Sequence, residues 1–205
     1  VDQWISDGLI ADVQDYVDQD IDPEEYFTGT FDVVRNKESG RMHAFPFAFV
    51  ETVLFYNRDA FDEAGVAYPE EGWNWDDFLD AAQKLTVDED GDGTVDQYGF
   101  WGYGRYAHIE PWVYQNNGRL LNENKTRFEP DENAVEALAF LDSLIHEHQV
   151  APEPKEMEGI RQQDVFGLGM AAMWVDGAWN INGNRDVIGD EFSWAIAPLP
   201  RGPQA

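Results

Sequence analysis

The chain has 205 residues, of which 43% are hydrophobic, enough to build one large domain or two small ones around a packed core. Its 41 acidic residues outnumber 13 basic ones and give a formal net charge of -28, so we exclude nucleic acids and anionic lipid surfaces as partners. The absence of cysteine excludes disulfides, thiolate zinc sites and cysteine nucleophiles, and no apolar run approaches the ~20 residues of a membrane-spanning helix.

The acidic residues are spread along the whole chain. A dense carboxylate surface stays hydrated in concentrated salt, and the salt screens the repulsion between the carboxylates. The distribution therefore favours a halophilic surface over the alternative explanation of the charge, a function such as cation binding.

The first fifty residues have a mixed pattern. Residues 4–17 carry apolar side chains at helical spacing, interrupted by Gly8. Residues 41–49 predict a strand that Pro46 limits to a sheet edge or a strand end, because proline has no N–H to donate. Residues 52–56 (TVLFY) predict a compact strand rich in β-forming residues.

Two predicted helices follow. Residues 59–64 form a short helix ended by Gly65, which suits the left-handed position after a helix. Residues 74–85 predict a stronger helix, with Asn74 as its cap, acidic residues in its first turn and apolar residues on one face. A Gly/Asp-rich loop with a strand after it comes next, and residues 106–118 predict a further helix.

The second half of the chain alternates in the same way. Residues 131–148 predict the longest helix, and residues 161–166 a short one. Residues 171–175 and 192–197 predict strands. The expected core face of the longest helix consists of Val135, Leu138, Leu141, Leu144 and Ile145. Because strands and helices alternate, the predicted fold class is α/β.

The Gly/Asp-rich loop has the pattern of a calcium-binding loop. Gly93 permits its sharp turn, but position 12, which needs a bidentate glutamate, is Gly99. Positions 1, 3, 5, 7 and 9 of an EF-hand loop are matched by Asp88, Asp90, Asp92, Thr94 and Asp96. The pattern predicts a structural Ca²⁺ ion held by these five residues; the alternative is an acidic turn that caps the preceding helix.

Several ordered segments resemble one protein family. They are LFYNRDAFDEAG at 54–65, EGWNWDDFLDAAQKLT at 71–86, DGDGTVDQYGF at 90–100, PWVYQNNG at 111–118, FGLGMAAMWVDGAW at 166–179 and WAIAPLPRGP at 194–203. Together they resemble the extracellular solute-binding proteins of family 1, the sugar-binding components of ATP-binding-cassette importers.

The resemblance implies a periplasmic-binding-protein-like fold of type II, in which two α/β lobes joined by hinge strands close on a sugar. Residues 1–50 would be the C-terminal part of the first lobe and a hinge, residues 51–196 the second lobe, and residues 197–205 the returning hinge segment. The rest of the family fold has no counterpart in the sequence, so we expect a partial chain.

The resemblance also suggests ligand contacts. Glu51 matches a sugar-contacting glutamate, and a carboxylate can accept two hydroxyl hydrogen bonds; the alternative is a solvated loop acid. Trp179 matches an aromatic platform for sugars, with Asp176 and Asn180 as polar partners; the alternative is a core tryptophan. Trp174, within a predicted strand, is expected to be buried.

Tyr106, Trp112 and Tyr114 lie where the family contributes aromatic side chains from one helix. We predict Tyr106 and Trp112 as ligand contacts, and the alternative for each is core packing.

The predicted function is capture of a monosaccharide or oligosaccharide for the permease subunits of an ATP-binding-cassette importer. The resemblance places the protein outside the cytoplasm, in the periplasm or as a cell-surface lipoprotein, with membrane association only through an N-terminal anchor absent from this sequence. No catalysis and no organic cofactor are expected. A glycoside hydrolase fragment and a calcium-stabilised interaction module are the alternatives.

Overall fold

The computed structural model describes residues 2–27, 29–102 and 104–205. The chain divides into two compact units, residues 1–50 and residues 51–205. The assignment of residues 1–50, 51–196 and 197–205 to lobes and hinge segments stays a prediction.

The first unit contains short helices and turns. Its α-helices are α1 (Asp2–Ser6) and α2 (Gln14–Asp20), and 3-10 turns span Pro23–Glu25 and Asp32–Val34. Gly8 takes a left-handed φ of 68° between the two helices, as the interrupted apolar pattern suggests. Arg41 bridges Asp12 and Asp15 and so ties residue 41 to the start of α2.

The strand predicted for residues 41–49 is wrong. Among the described residues of the first unit, only Met42 in this stretch forms a β-bridge, with Arg35. Pro46 cannot donate a backbone hydrogen bond, and Phe47 is almost fully exposed. Apart from Met42, the described residues of this segment therefore have no strand partner.

The second unit is built on one four-stranded mixed sheet. Its strands are β1 (Thr52–Asn57), β2 (Tyr98–Trp101), β3 (Ala171–Gly177) and β4 (Trp194–Ala197), in the order β2-β3-β1-β4. β1 runs antiparallel to β3 and β4, whereas β2 and β3 are parallel. The carboxyl ends of β2, β3 and β4 therefore meet the start of β1 at one edge of the sheet, called the site edge below.

The described residues of this unit form six α-helices: α3 (Arg58–Ala64), α4 (Trp75–Lys84), α5 (Tyr106–Gln115), α6 (Glu132–His146), α7 (Gln162–Gly167) and α8 (Ile181–Ile188). The end signals predicted for α3 and α4 are confirmed. Gly65 ends α3 with a φ of 65°, and the side-chain oxygen of Asn74 accepts hydrogen bonds from the N–H groups of Asp76 and Asp77.

Side chains from the two faces of the sheet enter two hydrophobic clusters. The first contains residues of α3, α4, α5 and α6, including Phe78 and Trp112, and the second contains residues of α7 and α8, including Phe166 and Ile188. Both faces of β3 are covered, so every residue of this strand is buried, Trp174 among them.

The core face predicted for α6 is wrong in part. Val135 is 53% exposed, whereas Ala134 and Ala137 are buried. The backbone at Gly118 comes so close to α6 that a Cβ atom there would lie 2.7 Å from the nitrogen of Ala134. Small side chains therefore face this contact and Val135 is turned outward, whereas Leu144 is buried and Leu138, Leu141 and Ile145 pack against the first cluster as predicted.

Candidate functional site

The site edge brings together residues that are far apart in the sequence. The register of β1 and β3 places Thr52 opposite Gly177. The N–H of Ala178 donates a hydrogen bond of 2.8 Å to the carbonyl oxygen of Glu51. Ligands of open α/β sheets bind beyond the carboxyl ends of strands, so this edge is the candidate site of the second unit.

Trp179 lies next to this register pair, with its indole ring against Gly177. A Cβ atom at residue 177 would lie 2.3 Å from Cε3 and Cζ3 of the ring, closer than any real contact. The ring is 44% exposed. Gly177 thus leaves room for the ring against the backbone, and part of a flat aromatic surface stays open to solvent.

A shallow depression, called the inner depression below, extends from Thr52 along α5. It has a volume of about 280 Å³ and is also lined by Tyr106, Glu110 and Tyr114. Tyr106 starts α5 and is 67% exposed, and Glu51 is exposed beside Thr52. The structure thus brings the predicted contacts Glu51 and Trp179 together and places Tyr106 next to Thr52.

Asp176 is brought to the same edge, but it does not face solvent. Its carboxylate is fully buried: Oδ1 accepts a hydrogen bond of 2.7 Å from the N–H of Gly177, and Oδ2 lies 3.2 Å from Nε2 of the buried His108. Nη1 of Arg105 is 3.6 Å from the same oxygen. The prediction of Asp176 as a direct ligand contact is therefore replaced by a supporting role, because its oxygens face β3 and the start of α5.

Trp112 is a core residue and not a ligand contact. Its side chain is completely buried, and its ring packs edge-on against Phe78 and Phe100 and at a tilt against Trp75 and Phe140. Trp112 lies six positions after Tyr106 on α5, so the two side chains leave the helix in different directions. The prediction of Trp112 as a ligand contact is wrong, and the alternative of core packing is the one observed.

Sequence reasoning left Thr52 and Glu110 out of the site, and it gave Tyr114 only a subordinate place. Glu110 and Tyr114 follow Tyr106 at intervals of four residues and so share one face of α5. Burial raises the pKa of Tyr114, and the nearby charge of Glu110 raises it further. This four-residue spacing is the signal that could have identified the face.

The predicted calcium loop brings three carboxylates together. Ligand oxygens of Asp88, Asp90 and Asp96 lie within 4.8 Å of one another. Asp92 is not among these three carboxylates: its Oδ1 accepts a hydrogen bond of 2.7 Å from the N–H of Thr94, which lowers the pKa of the Asp92 carboxyl. Three exposed carboxylates at this separation are a suitable set of hard oxygen ligands for Ca²⁺.

No helix in the described part of the chain is both long and apolar enough to cross a membrane.

Comparison with known proteins gives one family. The family model described as bacterial extracellular solute-binding protein matches residues 1–205. The arabinooligosaccharide-binding protein of Bacillus subtilis is 27% identical over 169 residues, covering 80% of this chain and 37% of that protein. The mannitol-binding protein of Pseudomonas aeruginosa is 25% identical over 168 residues, covering 78% of this chain and 37% of that protein.

Among similar solved structures is one that superposes on almost the whole chain. An ABC substrate-binding protein from Listeria monocytogenes in complex with cycloalternan superposes with a TM-score of 0.84 at 29% identity. The match covers 99% of this chain and 50% of that one. The chain thus spans half of this structure and less than two fifths of these two relatives, and the prediction of a periplasmic-binding-protein-like α/β fold present in part is confirmed.

Proposed function

The chain belongs to the bacterial extracellular solute-binding protein family, and from that premise we propose that it captures a sugar or an oligosaccharide for an ATP-binding-cassette importer. In this proposal the protein works in the periplasm or as a cell-surface lipoprotein and delivers its ligand to permease subunits. Deleting the gene would then abolish uptake of the sugar that the purified protein binds.

One observation carries the sugar assignment: the site edge has two exposed aromatic residues, Trp179 and Tyr106, and the exposed acidic residue Glu51, which precedes Thr52. The C–H faces of a sugar pack on flat rings, while its hydroxyl groups need hydrogen-bond acceptors. A carboxylate can accept hydrogen bonds from two neighbouring hydroxyls. The combination suits a neutral polyhydroxylated ligand.

The names of the similar proteins support this ligand class. The relatives are named for binding arabinooligosaccharide and mannitol, and the structural neighbour holds cycloalternan. These ligands differ in size and linkage but all present many hydroxyl groups on a carbon skeleton. They support a polyhydroxylated ligand class without identifying one sugar for this chain.

The test is calorimetric titration of the full-length protein with a panel of sugars and sugar alcohols. We expect one class to bind, and we expect Trp179→Ala to weaken that binding by at least about tenfold, because it removes an aromatic anchor. Trp4→Ala, which removes an exposed tryptophan of the first unit, serves as the control. If Trp179→Ala binds the sugar as tightly as the wild type, the sugar does not bind at the site edge.

Incubating the purified full-length protein with the oligosaccharide that it binds distinguishes binding from catalysis. Binding alone predicts that bound oligosaccharide is recovered intact after long incubation. Release of shorter sugars by the purified protein would favour a glycoside hydrolase instead.

We also propose that the loop with Asp88, Asp90 and Asp96 binds a structural Ca²⁺ ion. Adding Ca²⁺ to chelator-treated protein should raise the unfolding temperature, since an ion that binds only the folded state stabilises it. Asp90→Asn should lose this response, whereas Asp186→Asn, an exposed change in α8, should keep it. A large Ca²⁺ response without any sugar response would favour the calcium-stabilised interaction module.

A further inference from the structure

A second, larger groove continues from the inner depression. It has a volume of about 510 Å³ and lies between α5 and the segment of residues 119–128. Glu110 and Tyr114 line both this outer groove and the inner depression. The two depressions therefore lie side by side along α5, and the inner one begins at Thr52 on the site edge.

The outer wall of this groove is a hydrogen-bonded hairpin. Leu121 and Phe128 form an antiparallel bridge, and the N–H of Asn122 donates to the carbonyl oxygen of Arg127 at 3.0 Å. Oδ1 of Asn122 accepts hydrogen bonds from the N–H groups of Thr126 and Arg127, at 2.8 and 3.3 Å. The wall is thus held in place by its own backbone and by one side chain across its tip.

The groove combines aromatic surface with both hydrogen-bond donors and hydrogen-bond acceptors. Tyr114 is 60% exposed on one side of it, and Phe128 is 65% exposed on the other. Glu110, Arg119 and Lys125 lie along the same lining. In a chain with only 13 basic residues against 41 acidic ones, two cations here provide hydrogen-bond donors beside the carboxylate acceptor, and sugar hydroxyl groups can use both.

We propose that the outer groove is a second subsite, in which Tyr114 and Phe128 contact the further rings of an oligosaccharide whose first ring lies at the site edge. The proposal rests on the sugar-binding function proposed above and narrows its ligand to a chain of several rings. Tyr106 and Tyr114 are eight residues apart, or about 12 Å along the helix axis at 1.5 Å per residue. One sugar ring is too short to contact both side chains, but an oligosaccharide can.

The experiment compares ligand length in the full-length protein. Glucose-, mannose- and arabinose-based series of one to five rings are titrated into the wild type, Phe128→Ala and Leu168→Ala. Leu168 is also 65% exposed but follows α7, whose residues pack in the other hydrophobic cluster, so it is a matched control. Because Phe128 is largely exposed, its removal should leave the fold intact, and circular dichroism checks this.

We expect the wild type and Leu168→Ala to bind the five-ring ligand about tenfold more tightly than the shortest ligand that binds. Phe128→Ala should remove this gain and leave the affinity for the shortest ligand unchanged. Hydrogen bonds within the hairpin already slow exchange among residues 122–127, and in the wild type the five-ring ligand should slow it further.

Different failures separate the two proposals. Sugar binding whose affinity does not depend on length, or a length dependence that survives Phe128→Ala, overturns the outer subsite and leaves the sugar-binding function standing. Exchange of residues 122–127 that the five-ring ligand leaves unchanged also overturns the subsite, because the ligand then does not cover the hairpin. No binding of any sugar overturns both proposals.

Discussion

Replacing Gly177 by alanine tests the aromatic surface at the site edge without changing any polar group. The backbone of Gly177 has a φ of -72° and a ψ of 148°, a conformation that alanine adopts without strain. The added Cβ atom, however, would lie 2.3 Å from the indole ring of Trp179, whereas real Cβ contacts are essentially never shorter than 3.0 Å. The ring must therefore retreat by at least about 0.7 Å, the difference between these distances.

The consequences for stability and for binding differ. Trp179 is partly exposed and can swing outward, and a glycine-to-alanine change at a compatible backbone position often stabilises by about 0.4–1 kcal/mol through the unfolded state. We therefore expect the free energy of unfolding to change by less than about 1 kcal/mol. A displaced ring loses its stacking on the sugar, and an aromatic contact of about 1.4 kcal/mol corresponds to a tenfold weaker affinity.

Calorimetry with the sugar that the wild type binds measures the affinity, and tryptophan fluorescence reports the environment of the ring. Gly183→Ala is a matched control, because its Cβ atom would meet no atom within 4 Å. The double variant Gly177→Ala, Trp179→Ala should bind no more weakly than Trp179→Ala alone, since both changes act on the same ring. Wild-type affinity in Gly177→Ala would refute the reasoning that this ring, held in this position, contacts the ligand.

Two further predictions concern stability. Asp176→Ala should lower the free energy of unfolding by about 3 kcal/mol in urea denaturation, because it removes the buried carboxylate that faces His108 and Arg105; normal stability with lost sugar affinity would make Asp176 a ligand contact after all. The unfolding temperature should rise by several degrees between low and multimolar potassium chloride, because a net charge of -28 destabilises the folded chain until salt shortens the screening length to about 3 Å. A flat response in a thermal melt would contradict the halophilic interpretation.

Much of the second unit could be predicted because its local signals agree with its packing. The run TVLFY becomes β1, Gly65 ends α3, and Asn74 caps α4. Each of these signals depends on residues within one turn or one strand. The helix α8 was not predicted, because Asn and Gly residues in INGNRDVI have low helix propensity and only Asn184 and Ile188 are buried.

Tertiary contacts explain the predictions that failed. Apolar spacing alone put Val135 inside, but at the close approach of Gly118 to α6 the residues turned inward are Ala134 and Ala137 instead. Residues 41–49 contain β-forming residues, yet a strand exists only where another strand accepts and donates its hydrogen bonds. Neither a close backbone contact nor a missing strand partner is visible in a local sequence pattern.

The two tryptophans that were predicted as ligand contacts show the same limit of local sequence patterns. Trp112 and Trp179 both lie in segments that resemble the family, but one is in the core and the other is partly exposed. The difference arises from topology. Trp179 lies two residues after the end of β3, where the chain leaves the sheet, whereas Trp112 lies within α5, a helix that packs on the sheet. The antiparallel register completes the site by setting Thr52 opposite Gly177. A slip of one residue would place Thr52 opposite Asp176 and turn the side chains of one strand to the other face, so the site depends on a register that links positions 125 residues apart.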